Sequence, residues 1–287
     1  MSDNALTPSA RGSHLRSHVI HAHRAWLVLV LLGGCAGVAR PREPYTDAVA
    51  ALRAQAAPRA QLRSLRAEAR VDQRGAKGRV RGTVLMMVER AGRLRFDAMT
   101  QFGPVAILTA DRERFAFTDL REHRYLSGVT CPKNIARLVG IPMTVEQVTA
   151  MLLGGTFLLE HVEARIEWDA GGFYRVVLRA ASGARQELDL ALPDEDLAKP
   201  PAQQRLVLRR SELFAAGGAS QWRASYDDYE RVGGRVELPL EVRVEQRSSG
   251  TDTLLRFKEF ALDPALPDAA FTQSPRAGLV QEDARCD

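Results

Sequence analysis

Leu238-Pro239-Leu240-Glu241-Val242-Arg243-Val244-Glu245 carries the clearest structural signal in the chain. Apolar side chains at Leu238, Leu240, Val242 and Val244 alternate with charged ones at Glu241, Arg243 and Glu245. Successive side chains of a strand point to opposite faces, so the pattern predicts a β-strand with one face on a core and one in water. Pro239 has no amide hydrogen to give to a neighbouring strand, which predicts an edge or bulge position.

The same period of two extends outward in both directions. Toward the C-terminus it predicts a strand over Thr253 to Leu262. Toward the N-terminus it predicts strands over Gln221 to Glu230, Arg205 to Arg209, Arg185 to Leu192, Phe173 to Ala180 and Leu158 to Trp168. Earlier still, Leu65, Ala67, Ala69 and Val71 alternate with charged residues, and Val80, Gly82, Val84, Met86 and Val88 form one face of the next run. Leu85 and Met87 make the other face of that run apolar as well. Leu94, Phe96 and Ala98 follow the Ala91-Gly92 turn, and Gln101-Phe102-Gly103-Pro104 turns the chain into Val105, Ile107 and Thr109. Two short strands close this half, Arg114 to Asp119 and Glu122 to Leu126. Consecutive strands on short turns predict an antiparallel meander.

The alternation breaks in the middle of the chain. Pro132 to Val139 reads as a short helix, and Thr144 to Leu153 as a better one. The second opens with a Thr144-x-x-Gln147 capping box, carries Val145, Val148 and Leu152 as an apolar stripe, and closes at Gly154-Gly155. Tyr45 to Ala57 has helical spacing ended by Pro58, Arg40 to Pro44 reads as a tether, and Pro193 to Pro201 as a loop. The expected fold is mainly β (α+β): a curved antiparallel sheet, or incomplete β-barrel, of about ten or eleven strands over residues 61–270. The helical insert at 132–153 plugs or covers its open side, and residues 271–287 form an irregular, partly disordered tail.

Composition narrows the function. The 287 residues are 45% hydrophobic, enough for a sizeable core, and the net charge is +5. Four of the 40 basic residues are Lys, and the Arg residues are scattered singly rather than clustered on one face, which argues against a nucleic-acid partner. No phosphate-binding glycine loop, serine elbow, His-Glu-x-x-His or Cys-x-x-Cys is present. Asp194, Glu195 and Asp196, like Asp227 and Asp228, read as solvated charges rather than as a catalytic pair. No catalytic residue, metal or cofactor is expected.

The N-terminus is informative in a different way. Ala25 to Cys35 is a short apolar run ending in Leu32-Gly33-Gly34-Cys35, preceded by Arg11, Arg16 and Arg24. It is shorter than the about 20 apolar residues that span a bilayer, and it has the layout of a secretory signal. The tetrapeptide resembles the bacterial lipobox. That resemblance implies removal of residues 1–34, acylation of Cys35, and a tether and first helix over 35–60 that hang from the membrane. Ala36, where Asp would signal inner-membrane retention, implies the outer membrane with the protein facing the periplasm. An unlipidated signal peptide is the plainer alternative. His14, His18, His21 and His23 sit in this leader and carry no metal role. Cys131 and Cys286 remain, an even number in an oxidising compartment, as a disulfide or as two separate thiols.

Leu94 to Gly155 resembles the LolA and LolB lipoprotein carriers and receptors, LolB most closely. The shared order is a strand, the Gln101-Phe102-Gly103 turn, strands through Tyr125, a Gly140-Ile141-Pro142 step and the helix ending at Gly154. Gly233 to Leu240 and the Leu262-Asp263-Pro264-Ala265-Leu266-Pro267-Asp268 ending with Phe271 resemble the closing strands of that fold. The resemblance covers most of residues 61–275 through loose apolar and turn patterns. It implies an incomplete barrel whose inner face binds acyl chains of lipoproteins or other envelope lipids, with a periplasmic carrier as a further partner. Val84, Met86, Leu94, Phe96, Val148, Leu152, Leu240 and Val242 are the expected cavity lining; the plainer reading is that they pack as core. Phe102 matches the turn that carries an exposed apolar residue in LolB-like proteins and is the expected membrane contact, unless it folds back onto the sheet. Two functions follow: a lipid-handling lipoprotein, or a structural and assembly lipoprotein using the same fold with a filled core.

Overall fold

The computed structural model describes residues 39–76 and 78–286. Cys35, the leader and its four histidines lie outside the described residues. Fourteen strands form one sheet: β1 (Ser64–Gly75), β2 (Gly78–Glu89), β3 (Arg93–Thr100), β4 (Gly103–Ala110), β5 (Arg114–Asp119), β6 (Arg124–Val129), β7 (Glu163–Asp169), β8 (Phe173–Arg179), β9 (Arg185–Ala191), β10 (Val207–Phe214), β11 (Ser220–Val232), β12 (Val236–Gln246), β13 (Thr251–Leu262) and β14 (Val280–Ala284). Their order across the sheet is 14-6-5-4-3-2-1-13-12-11-10-9-8-7. Every neighbouring pair is antiparallel except β6 and β14, which run parallel. The pairing of β1 with β13, from Leu65 opposite Leu262 to Arg74 opposite Asp252, joins the two meanders.

Burial shows that the sheet curls. Fourteen strands at about 4.8 Å spacing would span about 60 Å if flat. Phe115 of β5 and Tyr174 of β8 nevertheless belong to one buried cluster, although nine strands lie between them in the sheet order. The edges β7 and β14 do not pair, so the sheet is curved and unclosed. The strand count exceeds the expected ten or eleven. One reason is β14, formed by a segment whose Val280-Gln281-Glu282-Asp283-Ala284 sequence shows no apolar alternation. It is recruited through the backbone of β6.

Among the described residues, three α-helices lie within this curve. α1 (Ala48–Ala56) starts three residues later than the apolar spacing predicts, because the Asp47 carboxylate accepts the amides of Val49 and Ala50 at 2.8 and 3.2 Å. Tyr45 serves as an anchor instead: its amide donates to the Tyr174 hydroxyl and its own hydroxyl to the Pro201 carbonyl. α2 (Pro132–Val139) begins on a proline, which suits the first helical position, and ends at Gly140 with φ +79°. α3 (Val145–Leu152) has the full capping box, with the Gln147 amide donating to Thr144 Oγ1 and the Thr144 amide to Gln147 Oε1.

Two other expectations change. The strand expected from Leu158 starts at Glu163, because Gln186 holds the preceding segment as a loop: it accepts the Leu159 amide at 2.8 Å and donates to the Phe157 carbonyl at 2.8 Å. Pro239 lies in an interior strand, yet β13 pairs with β12 only from Glu241 onward. The first half of β12 therefore has a locally free side, which tolerates the missing amide hydrogen.

The C-terminal tail is structured. Gln273 donates to the Ile107 and Ala116 carbonyls and to Thr109 Oγ1, and accepts from Thr118 Oγ1 at 2.7 Å. Phe271 is buried, with the Arg93 guanidinium 4.7 Å from its ring centre. Beyond β14, Cys286 forms a disulfide with Cys131 at the start of α2, with Cα atoms 6.1 Å apart. The tail thus covers the outer face of β3 to β6 and shields the β6 edge.

Candidate functional site

Alternation sorts each long strand into an inner and an outer set. Odd residues of β1 and even residues of β2 and β3 face the helices. Near one end of the sheet, where the β1–β2, β3–β4 and β12–β13 turns meet the rim, these inner residues do not close against α2 and α3. A cavity of about 230 Å³ remains there. Its wall includes Val84 and Met86 of β2, Phe96 and Ala98 of β3, and Val148, Met151 and Leu152 of α3. Leu138 of α2 and Val244 and Leu255 of the neighbouring strands add to the apolar part. Gln73, Thr253, Arg81 and Arg121 give it polar ends.

Local sequence explains why the helices stop over this opening. A Cβ at Gly140 would come 1.8 Å from Gln73 Nε2, so glycine both permits the left-handed turn and lets α2 end directly on β1. Ile141 and Met143 then bury completely and carry the chain into α3. At the other end of α3, Gly154 has φ +76°, and a Cβ there would lie 2.7 Å from Leu238 Cδ2.

Five expected lining residues, Val84, Met86, Phe96, Val148 and Leu152, are on this wall. Leu94, Leu240 and Val242 are not: Leu94 and Val242 are buried in the packed core further from the rim, and Leu240 is half-buried away from the cavity. The sequence reading did not single out Met151, although it continues the α3 stripe three residues after Val148. Nor did it single out Leu138, Ala98, Val244 or Leu255.

Phe102 stands at the tip of the β3–β4 hairpin and is 91% exposed. Thr100 fixes the turn beneath it, accepting the Phe102 amide at 3.3 Å and donating to the Gly103 carbonyl at 3.0 Å. Val80, on the neighbouring hairpin, is also exposed and reaches the cavity wall. The β1–β2 hairpin at this rim also carries charge. Asp72 takes both Arg79 and Arg81, and these contacts, that of Arg79 foremost, hold its carboxyl far below the ordinary range.

Of the acidic groups noted in the sequence, Glu195, Asp196 and Asp227 are ion-paired, and Asp196 is fully buried rather than solvated. Glu195 and Asp196 engage Arg205, Asp196 also takes Lys199 at 2.5 Å, and Asp227 takes Arg209 at 3.0 Å. Among the described residues no group of three His, Cys, Asp or Glu side chains could hold a metal ion, and no helix is long and apolar enough to cross a membrane.

No protein-family profile and no curated protein matches the chain. Solved structures do match in fold. A LolA superfamily protein from Nitrosomonas europaea is 11% identical at a TM-score of 0.52, covering 80% of this chain and 99% of its own. A DUF1329 family protein from Desulfovibrio piger is 12% identical at a TM-score of 0.53, covering 79% and 98%. A candidate outer membrane lipoprotein-sorting domain from Vibrio parahaemolyticus is 11% identical at a TM-score of 0.52, covering 77% and 94%. The chain therefore has the LolA-like fold.

Proposed function

We propose that this protein is a lipid-anchored component of the outer membrane that takes acyl chains of lipoproteins or other envelope lipids into its apolar cavity and helps deliver them to the membrane. The cavity beneath α3, opening at the rim that carries Phe102, is the observation that supports this reading most directly. The fold shared with lipoprotein-sorting and LolA superfamily structures points the same way. Acylation of Cys35 would fix the protein to the bilayer, each buried methylene contributing about 0.8 kcal/mol. Transfer of cargo from a periplasmic carrier into such a site requires no covalent step, and we assign no enzymatic one.

Size sets the mode of binding. At about 230 Å³ the cavity is smaller than the roughly 300–1,000 Å³ of sites that enclose a drug-sized ligand. It accommodates part of one chain with α2 and α3 in place, and a diacylated cargo requires the helices to shift outward. Met86 and Met151 suit a wall that repacks around different chains.

A structural or assembly lipoprotein with a filled core is the second reading, favoured by the complete burial of Leu94 and Val242. Native mass spectrometry of the purified protein, followed by organic extraction and fatty-acid displacement, separates the two. Near-stoichiometric lipid or acylated peptide, displaced by the probe, supports carriage. A clean unliganded mass with no probe binding supports the filled core.

A further inference from the structure

On the opposite side of α3 lies a second cavity of different chemistry. Arg59, in the helical turn at 57–59 that follows α1, is only 7% exposed. Its Nη2 donates to the Gln55 carbonyl at 2.6 Å, but the ionisable groups that bear on it are Tyr229, Tyr226 and a second cation, Arg90. No carboxylate pairs with either arginine among the described residues. Arg90 is held by its own bonds to the Leu62 and Arg59 carbonyls at 2.6 and 2.7 Å. Gln55, 6% exposed, has no hydrogen-bond partner for its side-chain Nε2. Burying an unpaired guanidinium and an unmatched amide is costly, and both costs are relieved by one group with oxygen acceptors and negative charge.

Gln55, Arg59 and Arg90 line the same cavity, about 290 Å³ in volume, with Ala150, Leu153 and Thr156 on the α3 side. No acidic side chain is on its wall. The two glycines after α3 make room for the charge: a Cβ at Gly154 would come 3.2 Å from Arg59 Cδ, and one at Gly155 would come 3.9 Å from Arg59 Nε. α3 separates the two cavities, giving Val148, Met151 and Leu152 to the apolar one and Ala150 to this one.

We propose that this second cavity is an oxyanion site, in which the Gln55 amide and the Arg59 guanidinium donate to a phosphate or carboxylate group and Arg90 supplies a further positive charge. The site stands independently of acyl-chain binding. Two sources share the required chemistry, a free anion and the headgroup of an anionic lipid.

Isothermal titration of the purified full-length protein with inorganic phosphate, and separately with dihexanoyl phosphatidic acid against neutral dihexanoylglycerol, tests the assignment. The expected result is saturable one-site binding of an anionic probe, weakened about tenfold by Gln55→Met, which keeps the side-chain volume and removes the donor. Arg59→Met should weaken it further; if that variant does not fold, Gln55→Met alone carries the test. Binding of inorganic phosphate assigns a free anion, and binding of phosphatidic acid alone assigns a headgroup. Absence of binding by both anions, or equal binding by wild type and Gln55→Met, overturns the proposal. Fatty-acid displacement from the apolar cavity is unaffected by either result.

Discussion

A single exposed aromatic ring at a hairpin tip has no packing to lose, and that makes Phe102 a clean probe. At 91% exposure its replacement should leave the fold intact, within the about 0.5 kcal/mol typical of surface changes. We expect Phe102→Glu to keep the wild-type urea midpoint while reducing transfer of acylated cargo to vesicles; undiminished transfer by the folded variant would remove this residue from the delivery step. Val148→Trp makes the complementary test from inside. Val148 is buried yet faces empty space, so an indole there should occupy the cavity and abolish fatty-acid displacement while the circular dichroism spectrum stays native. Both residues were legible in the sequence, Phe102 because an apolar residue at a turn is unusual and Val148 because it lies on a helical stripe. Arg59 was not. One arginine among many carries no sign of its burial until the turn after α1 is seen to sit against the two glycines that follow α3.

Elements were legible where side-chain pattern creates them and illegible where backbone or single polar contacts do. The α3 boundaries follow from Thr144, Gln147 and the Gly-Gly exit, and the β12 alternation from its burial against the core. β14 had no pattern to read: a short edge strand is held by hydrogen bonds to β6, by Arg124 paired with Glu282 across the ladder, and by the disulfide at Cys286. The late start of β7 depends on one buried glutamine, Gln186, contributed by a strand two places away in the sheet. These elements also differ in what holds them. Thr144→Ala should cost about 1 kcal/mol through loss of the α3 cap, read as a lower midpoint in chemical denaturation. Cys286→Ser removes a covalent link between residues 155 apart, which should cost about 2–4 kcal/mol. It should also make the segment after Phe271 the first site of proteolysis. Wild-type resistance of that segment in the variant would mean that the Gln273 contacts alone hold the tail.

At the scale of the whole molecule, an unclosed sheet with one apolar face has to keep its other face soluble and its strands in register, and here ion pairs laced across neighbouring strands contribute. On β8 to β11, Arg175 and Arg210 share Asp189, and Arg210 and Arg223 share the buried Glu212. Asp263 joins the β1–β13 seam to the β11–β12 turn through the Arg63 amide and Arg235. Burial alone would raise the carboxyls of Glu212, Asp196 and Asp263, but the Ser220 hydroxyl on Glu212 and the arginine, lysine and amide partners of the three outweigh it and hold all of them below their ordinary values. A carboxyl with a lowered folded-state pKa adds stability above its unfolded value of about 4, and that stability is lost as pH falls through the folded value. Tyr226 and Tyr229 act in the opposite direction. Burial raises both, so their contribution is complete below an unfolded value of about 10 and is lost above it. The expected profile is a plateau in urea midpoint from about pH 5 to 9 with a decline on each side. The acid limb should begin below about pH 5. Glu212→Gln should shallow that limb by removing one titrating group, at the cost of a lower midpoint at neutral pH where its arginines lose their charged partner. A midpoint unchanged between neutral pH and pH 3 would show instead that the curl of the sheet rests on its apolar face alone, with the ion pairs serving only solubility.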